Sequence, residues 1–473
     1  MTSPYDMILD LNRESTIPIY QQIGDAISNL IETGICKPNE KLPPIRKLAE
    51  QLCVNNVTVI NAYKYLESKK IVYSKLGSGV YVSEIPQNDW EKPACSVDYN
   101  KFNRLDNYKK EVINFANTVA SQELFPIEKF KVIFNEVLDR DGGEAFTYQD
   151  SQGYEPLRES LCDYFEDYGI KTSPDKLLIV SGAQQGLDII SKVMISMGDV
   201  IFVEKPTYNG ALGSFLSRSA QIIEVPIDED GINISKLEAY LRSYKPKFMY
   251  LMTHFQTPTC ISYSTNKKRQ ILELANKYNT YIVEEDNQIE FNYSNEKTVP
   301  LKALDYKNRV IYIKSFSKIL MPGLRVGCMI LPKKILQSVL AAKYTSDVAT
   351  SGFIQRGLDL FLRSQEFNTY IKNTISIFHE RYAIMKNAVD KYLVNKVCYI
   401  DPKGGLNFWL EIKNKSINVE KLCSDLAGRG IIVIPGSMYS LQAENISYIR
   451  LSFSNVDKTK IERGIFEISK LLS

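Results

Sequence analysis

A polar stretch from Glu84 to Lys110, EIPQNDWEKPACSVDYNKFNRLDNYKK, has no recurring apolar face and divides the chain into two regions of different pattern. Such a segment has few anchors for a core and reads as a linker. A chain of 473 residues is in any case too long for one ordinary core. The expected organisation is a domain over 12–83, a linker over 84–111 and a second domain over 112–473. The first region is helical and ends in a small hairpin. The second alternates strands and helices, an order that builds an α/β fold on a mostly parallel sheet.

Pro18 to Ile31 sets Ile19, Ile23, Ile27, Leu30 and Ile31 on one face of an amphipathic helix. After a Lys-Leu-Pro-Pro turn, a second helix over Ile45–Leu52 turns Leu48, Ala49 and Leu52 inward. A third, from Val57 to about Lys69, does the same with Val59, Ala62, Tyr63 and Leu66. Two short helices joined by a tight turn are a helix-turn-helix signature. The following IVYSKLGSGVYV reads as two strands around Gly77-Ser78-Gly79, a wing. Between Lys41 and Val82 seven basic residues stand against two acidic ones, although the whole chain carries only +3. That local excess suits DNA phosphates, and equally a docking module with a solvated Lys face.

KLPPIRKLAEQLCVNNVTVINAYKYLESKKIVYSKLGSGVYV resembles the winged helix-turn-helix of the GntR family, sharing its LPxxRxLA, TVxxAYxxL and GSGxxV patterns. The resemblance implies double-stranded DNA as a partner. It makes Arg46, Asn55, Asn56, Thr58, Tyr63, Lys75, Ser78 and Gly79 candidate contacts. Where relatives carry an SRNT-type turn, this chain has Asn55-Asn56-Val57-Thr58. Loss of a basic residue at Asn56 removes one expected contact, so base preference should differ.

In the second region SFSKILMPGLR places Lys318 after Ser315 and Ser317 and before Arg325, across a Pro-Gly turn. An amine condenses with an aldehyde, while hydroxyls and a guanidinium satisfy phosphate oxygens. Pyridoxal phosphate carries both groups. Alone, the motif is equally a solvated basic turn. Upstream, the apolar run Leu177–Val180 leads into SGAQQGLDIISKVM, a strand-to-helix turn whose backbone N–H groups suit an anion beside the small Ser181, Gly182 and Ala183. Gln184 is placed to add a side-chain donor. Tyr208 follows another buried run at a Pro-Thr-Tyr turn.

These segments resemble fold-type-I aminotransferases. The resemblance implies that Lys318 forms a Schiff base with pyridoxal phosphate and that Tyr208 stacks on its ring. It implies further that Tyr148 reaches the phosphate of a neighbouring subunit and that Arg450 clamps a substrate carboxylate. With the winged helix, the whole chain resembles the MocR/GabR subfamily of GntR regulators. Their large domain senses pyridoxal phosphate or an amine or amino-acid effector, and they form head-to-tail, domain-swapped homodimers.

Three ring contacts depart from the family. Glu284-Glu285-Asp286-Asn287 puts Glu285 at the ring-nitrogen position and Asn287 where a tyrosine is usual; Asp286 would serve only if the strand slipped by one residue, which reverses its face. Thr257-Pro-Thr-Cys260 has a hydroxyl in place of an amide. His254 is expected to be structural, because Phe255 aligns with the family histidine. The phosphate grip is therefore expected intact and the electron sink weakened. This favours a cofactor-binding regulator over an active aminotransferase with an accessory N-terminal module, or a regulator that has lost the cofactor.

Composition narrows the rest. Eight scattered cysteines without a CxxC pair suit buried thiols in a reducing cytoplasm. Two histidines leave little material for a metal site or a Ser-His-Asp triad. No signal-peptide pattern and no membrane-spanning apolar run is read, so the expected location is cytoplasmic.

Overall fold

The structure, a computed structural model, describes residues 17–83, 112–441 and 446–472, together with 11, 13 and 15 and without 33–35, 38, 70, 76, 77 and 295. The chain divides into two compact units, Met1–Ser96 and Val97–Ser473. The linker expected over 84–111 lies outside the described residues, as does Cys95.

The first unit contains helices α1 (Ile19–Glu32), α2 (Ile45–Gln51) and α3 (Asn56–Ser68), then strands β1 (Val72–Lys75) and β2 (Gly79–Val82). The strands pair antiparallel from Val72↔Val82 to Lys75↔Gly79. The helical spacing of apolar residues has its physical consequence here. Ile23, Ile27, Leu48, Val59, Ala62 and Leu66 are all fully enclosed in one core.

The second unit is built on an eight-stranded sheet. Its strands are β4 (Leu177–Val180), β5 (Val200–Lys205), β6 (Gln221–Asp228), β7 (Gly231–Ile232), β8 (Phe248–Leu251), β9 (Tyr281–Asp286), β10 (Val310–Ser315) and β11 (Gly327–Ile330), in the order β4-β11-β10-β9-β8-β5-β6-β7. The run β10-β9-β8-β5-β6 is parallel, while β11 and β7 run the other way. Alternation along the strands serves both faces. Leu178, Val180, Ile311 and Ile313 pack beneath the helices Ala183–Met194 and Lys333–Asp347. Leu177, Ile179 and Tyr312 enter the larger core with the helices Glu155–Glu166 and Gly352–Arg363. A four-stranded antiparallel sheet follows, β12 (Val397–Cys398), β13 (Asn407–Ile412), β16 (Tyr448–Ser452) and β15 (Ile434–Pro435). The short parallel pair β3 (Ile113–Asn114) and β14 (Ile431–Ile432) lays the start of this unit against its C-terminal part.

One buried charge cluster lies within this core. Lys314 Nζ, with no exposed side-chain surface, is 3.0 Å from Asp286 Oδ2 and 2.8 Å from Glu290 Oε1. Tyr312 donates its hydroxyl to Asp286 at 2.6 Å, and Tyr164 donates to Glu290. Burial disfavours every one of these charges. Mutual attraction overrides it, holding the Asp286 carboxyl below its usual range and the Lys314 ammonium above.

The expectation of uniformly buried thiols needs correction: Cys53 and Cys398 are exposed, while Cys36, Cys260 and Cys328 are buried. Among the described residues no helix is long and apolar enough to cross a membrane.

Lys314→Met would strand two carboxylates in the core and should lower the unfolding free energy by about 3–5 kcal/mol, read from urea denaturation at neutral pH. Adding Asp286→Asn and Glu290→Gln should recover part of the loss. A Lys314→Met variant as stable as the wild type would contradict the pairing.

Candidate functional site

Because β4, β5, β8, β9 and β10 point the same way, their carboxyl ends share one edge of the sheet, where open α/β sheets place ligands. A cavity of about 730 Å³ opens there. Lys318, Ser315, Ser317 and Arg325 line it after β10. Ala183 and Gln184 reach it after β4, Tyr208 after β5, Thr257 after β8, and Glu285 and Asn287 at the end of β9. Arg450 enters from β16 of the smaller sheet.

Lys318 Nζ donates to Asn287 Oδ1 at 3.3 Å. Burial pushes its amine down to about 8; Arg450 adds to this, and Glu285 opposes it. Glu285 accepts from the Tyr250 hydroxyl at 2.6 Å and from the Asn287 amide at 3.4 Å. Burial raises the Glu285 carboxyl in spite of those bonds and of Lys318. Asp286, one residue on, faces the opposite side of the sheet toward Lys314. The Thr257 hydroxyl is buried and has no partner among the described residues. It is an orphan donor and acceptor in the cavity wall.

The turn expected to receive an anion is built as the residue sizes suggest. Gly182 has φ +102°, and a Cβ there would lie 3.0 Å from Arg325 Nη2. Glycine both adopts this backbone and lets the guanidinium approach. Arg325 donates to Ser181 O at 2.7 Å, and the Ser315 hydroxyl accepts the Ser317 N–H at 3.3 Å. Arg450 is almost fully enclosed and donates to Ala116 O, while its Nε is buried without a partner among the described residues. A guanidinium on a residue that lines a cavity suits a carboxylate.

Several expectations need correction or relocation. The Gln184 amide is not available as a cavity donor, since it donates to Gly210 O at 2.9 Å and Ser214 Oγ at 2.8 Å. Its oxygen accepts from Tyr208 at 3.4 Å. Tyr148 is 89% exposed and outside the cavity. His254 is buried away from the cavity, 2.8 Å from the Lys268 ammonium nitrogen. Sequence reading missed Asn117, Thr118, Asn209 and Tyr439, which also line the site. The available signals were local. Asn114 and Asn117 each accept a backbone N–H two residues on, and Tyr439 follows a Pro-Gly turn.

In the first unit, Arg46, Asn56, Lys75 and Ser78 are exposed and Thr58 is half-buried. Asn55 is exposed too, but its side chain caps α3 by accepting the Val57 N–H at 3.0 Å. Tyr63, a candidate contact, is 4% exposed and donates its hydroxyl to Pro43 O at 2.7 Å. It belongs to the core, because the ring falls on the inward face of α3. Lys75 Nζ stands 4.9 Å from the Tyr81 ring centroid, and Tyr81 stacks with Tyr73 at 5.8 Å. Gly79 closes the wing at φ +130°, where a Cβ would meet Lys41 Cε at 2.8 Å.

With Lys318 lowered to about 8 and an unfolded lysine at 10.5, the unfolded chain binds more protons between these values. The penalty for burying the charged amine is thus present below pH 8 and relieved as pH rises toward 10.5. Labelling by trinitrobenzenesulfonate should reach half its maximal rate at Lys318 near pH 8, a signal absent from Lys318→Ala. A midpoint near the ordinary lysine value would contradict the environment described.

Residues 110–468 match the family described as Aminotransferase class I and II, and residues 19–82 match Bacterial regulatory proteins, gntR family. The chain is 30% identical over 368 residues to Aromatic-amino-acid aminotransferase 1 of Thermococcus litoralis, covering 76% of this chain and 88% of the relative. It is 27% identical over 470 residues to the uncharacterized HTH-type transcriptional regulator YdfD of Bacillus subtilis, covering 96% of each. The crystal structure of LysN, the alpha-aminoadipate aminotransferase of Thermus thermophilus complexed with N-(5'-phosphopyridoxyl)-L-leucine, superposes with a TM-score of 0.72 at 27% identity, covering 76% of this chain and 92% of that one. The chain therefore belongs to the class I and II aminotransferase family and carries a GntR-family helix-turn-helix domain at its N-terminus.

Proposed function

We propose that the chain is a DNA-binding transcriptional regulator whose aminotransferase-like domain holds pyridoxal phosphate and reads the cofactor, or an amine or amino acid that reaches it. The carrying observation is that one cavity combines the Lys318 amine, the Arg325 guanidinium, a helix N-terminus and the Glu285 carboxylate, on a chain that also bears a GntR domain. The residues fit the cofactor. The orphan Thr257 hydroxyl lacks a partner that a ring hydroxyl would supply, and Gly182 lets the Arg325 guanidinium, suited to a phosphate, approach where a side chain would press on it.

When bound, pyridoxal phosphate supplies an aldehyde for an amine and a ring that draws electrons from the attached carbon. Lys318 offers an amine that is already half deprotonated near pH 8. Ser315, Ser317 and Arg325, with the N–H groups of the turn before Ala183–Met194, would hold the phosphate. Arg450 would hold an effector carboxylate, and Tyr208 would pack on the ring. Glu285 would serve the ring nitrogen, but its carboxyl is bonded to Tyr250 and Asn287, so it would be a modest electron-sink partner. Binding is favoured over rapid turnover. The same cavity and the likeness to aminotransferases support a second reading, an active transaminase, which predicts repeated amino transfer abolished by Lys318→Ala.

On the DNA side, Arg46 and Asn56, with Thr58 and the wing residues Lys75, Ser78 and Gly79, form the contact surface. We read 12–83 as the DNA-binding domain, 84–111 as linker and 112–473 as the cofactor domain, in a cytoplasmic head-to-tail homodimer. There the exposed Tyr148 would reach the partner's phosphate. An effector changes DNA affinity only through its different affinities for two arrangements of the domains.

Titrating the protein with pyridoxal phosphate should produce a visible absorbance band that Lys318→Ala lacks, and the cofactor or an added amine should change operator affinity. Absence of any band would remove the cofactor part of the proposal. For the DNA part, Arg46→Ala and Lys75→Ala should each flatten the log–log salt dependence of binding to a mixed-sequence duplex by about 0.9. Unchanged slopes would exclude those residues as phosphate contacts.

A further inference from the structure

Beneath the anion-binding turn runs a chain of side-chain bonds that no step of the cofactor chemistry uses. The Ser181 N–H donates to Gln185 Oε1 at 2.7 Å. Gln185 Nε2 donates in turn to Asp347 Oδ2, also at 2.7 Å, and Lys343 Nζ donates to the other oxygen of Asp347. Lys343 has no exposed side-chain surface, so its charge is retained in the interior for this one carboxylate. Burial lowers the Lys343 amine and Asp347 opposes that effect. The Ser181 carbonyl is held from the opposite side by Arg325.

Both polar groups of one residue are thereby tied, and the consequence is directional. A free Ser181 N–H would compete for an anion or rotate the turn. Bound to Gln185, it leaves the N–H groups after it, at the start of the helix Ala183–Met194, as the donors presented at the turn. The bonds also join that helix to the end of Lys333–Asp347, and Lys192 Nζ to Ser346 Oγ at 2.8 Å adds a second tie between the two. Val348, directly after Asp347, is a β-branched residue at φ +62°, a conformation such residues rarely adopt. The helix thus ends at the residue that receives Gln185.

We infer that Gln185, Asp347 and Lys343 are positioning residues that orient the Ser181–Gln184 turn for the phosphate group of the cofactor. The inference rests on the cofactor reading above. It makes a demand that a purely structural role does not, because only a ligand bearing the phosphate should notice the relay.

The test compares pyridoxal phosphate with pyridoxal, which keeps the aldehyde and ring and lacks the phosphate, by absorbance titration of the full-length protein. Wild type should bind pyridoxal phosphate more tightly. Gln185→Leu should weaken pyridoxal phosphate by about tenfold, the scale of one lost hydrogen bond and a disordered turn, and leave pyridoxal within about twofold. Asp347→Asn, which still offers an oxygen to Gln185, should fall between wild type and Gln185→Leu. If Gln185→Leu does not fold, Gln185→Asn, too short to span both partners, gives the same comparison. Equal weakening of both ligands, or an unchanged preference, would overturn the relay. A wild type with no preference for the phosphorylated ligand would overturn the cofactor reading instead.

Discussion

The pairing of Lys314 with Asp286 and Glu290 decides which face every residue at the end of β9 presents. Side chains alternate along a strand, so binding Asp286 on one side commits Glu285 to the other. A slip of one residue would bring Asp286 to the cavity, but it would also take from the buried Lys314 one of its two carboxylates and turn Val283 out of its apolar layer. Charge pairing and hydrophobic burial enforce the same register. The identity of the cavity carboxylate is thus set by an interaction the cavity does not contain.

Within the cavity two sets of groups differ in character. The groups suited to phosphate are backbone donors, a tied guanidinium and small residues, all of them neutral or cationic. The groups suited to the ring are compromised by one another, since Glu285 is bonded to Tyr250 and Asn287, and Asn287 is bonded to Lys318. On the proposed reading, a site of this kind would hold a phosphate better than it would stabilise a developing carbanion. That balance suits an occupant that is held and reported, and it joins naturally to a DNA-binding domain on the same chain.

Much of this was legible from sequence because it is local. The spans of α1, α2 and α3, the run Leu177–Val180 and the turn around Lys318 follow from periodicity and from short motifs in which neighbours act together. The errors were of another kind. Tyr63 satisfied both a core pattern and a family contact pattern, and its burial with the bond to Pro43 assigned it to the core. Gln184 sat at the right turn, yet its amide found a nearer acceptor in Gly210 of a separate helix. Asn117 and Tyr439 were missed because they are far from Lys318 in the chain, and the pairing of β3 with β14 helps to carry the first of them to the site.

The amino-acid sequence by itself determined the two-part organisation, the α/β class, the winged helix and the lysine-centred constellation, since these rest on spacing and residue type. Only the tertiary structure decided the roles of individual polar atoms. It turned Glu285 inward and Asp286 away, left the Thr257 hydroxyl and Arg450 Nε without partners among the described residues, and used the Gln185 amide to hold a turn. The reason is physical. Hydrophobic pattern constrains which face of an element is buried, but a hydrogen bond depends on which donor and acceptor come within about 3 Å, and that is settled by contacts distant in sequence.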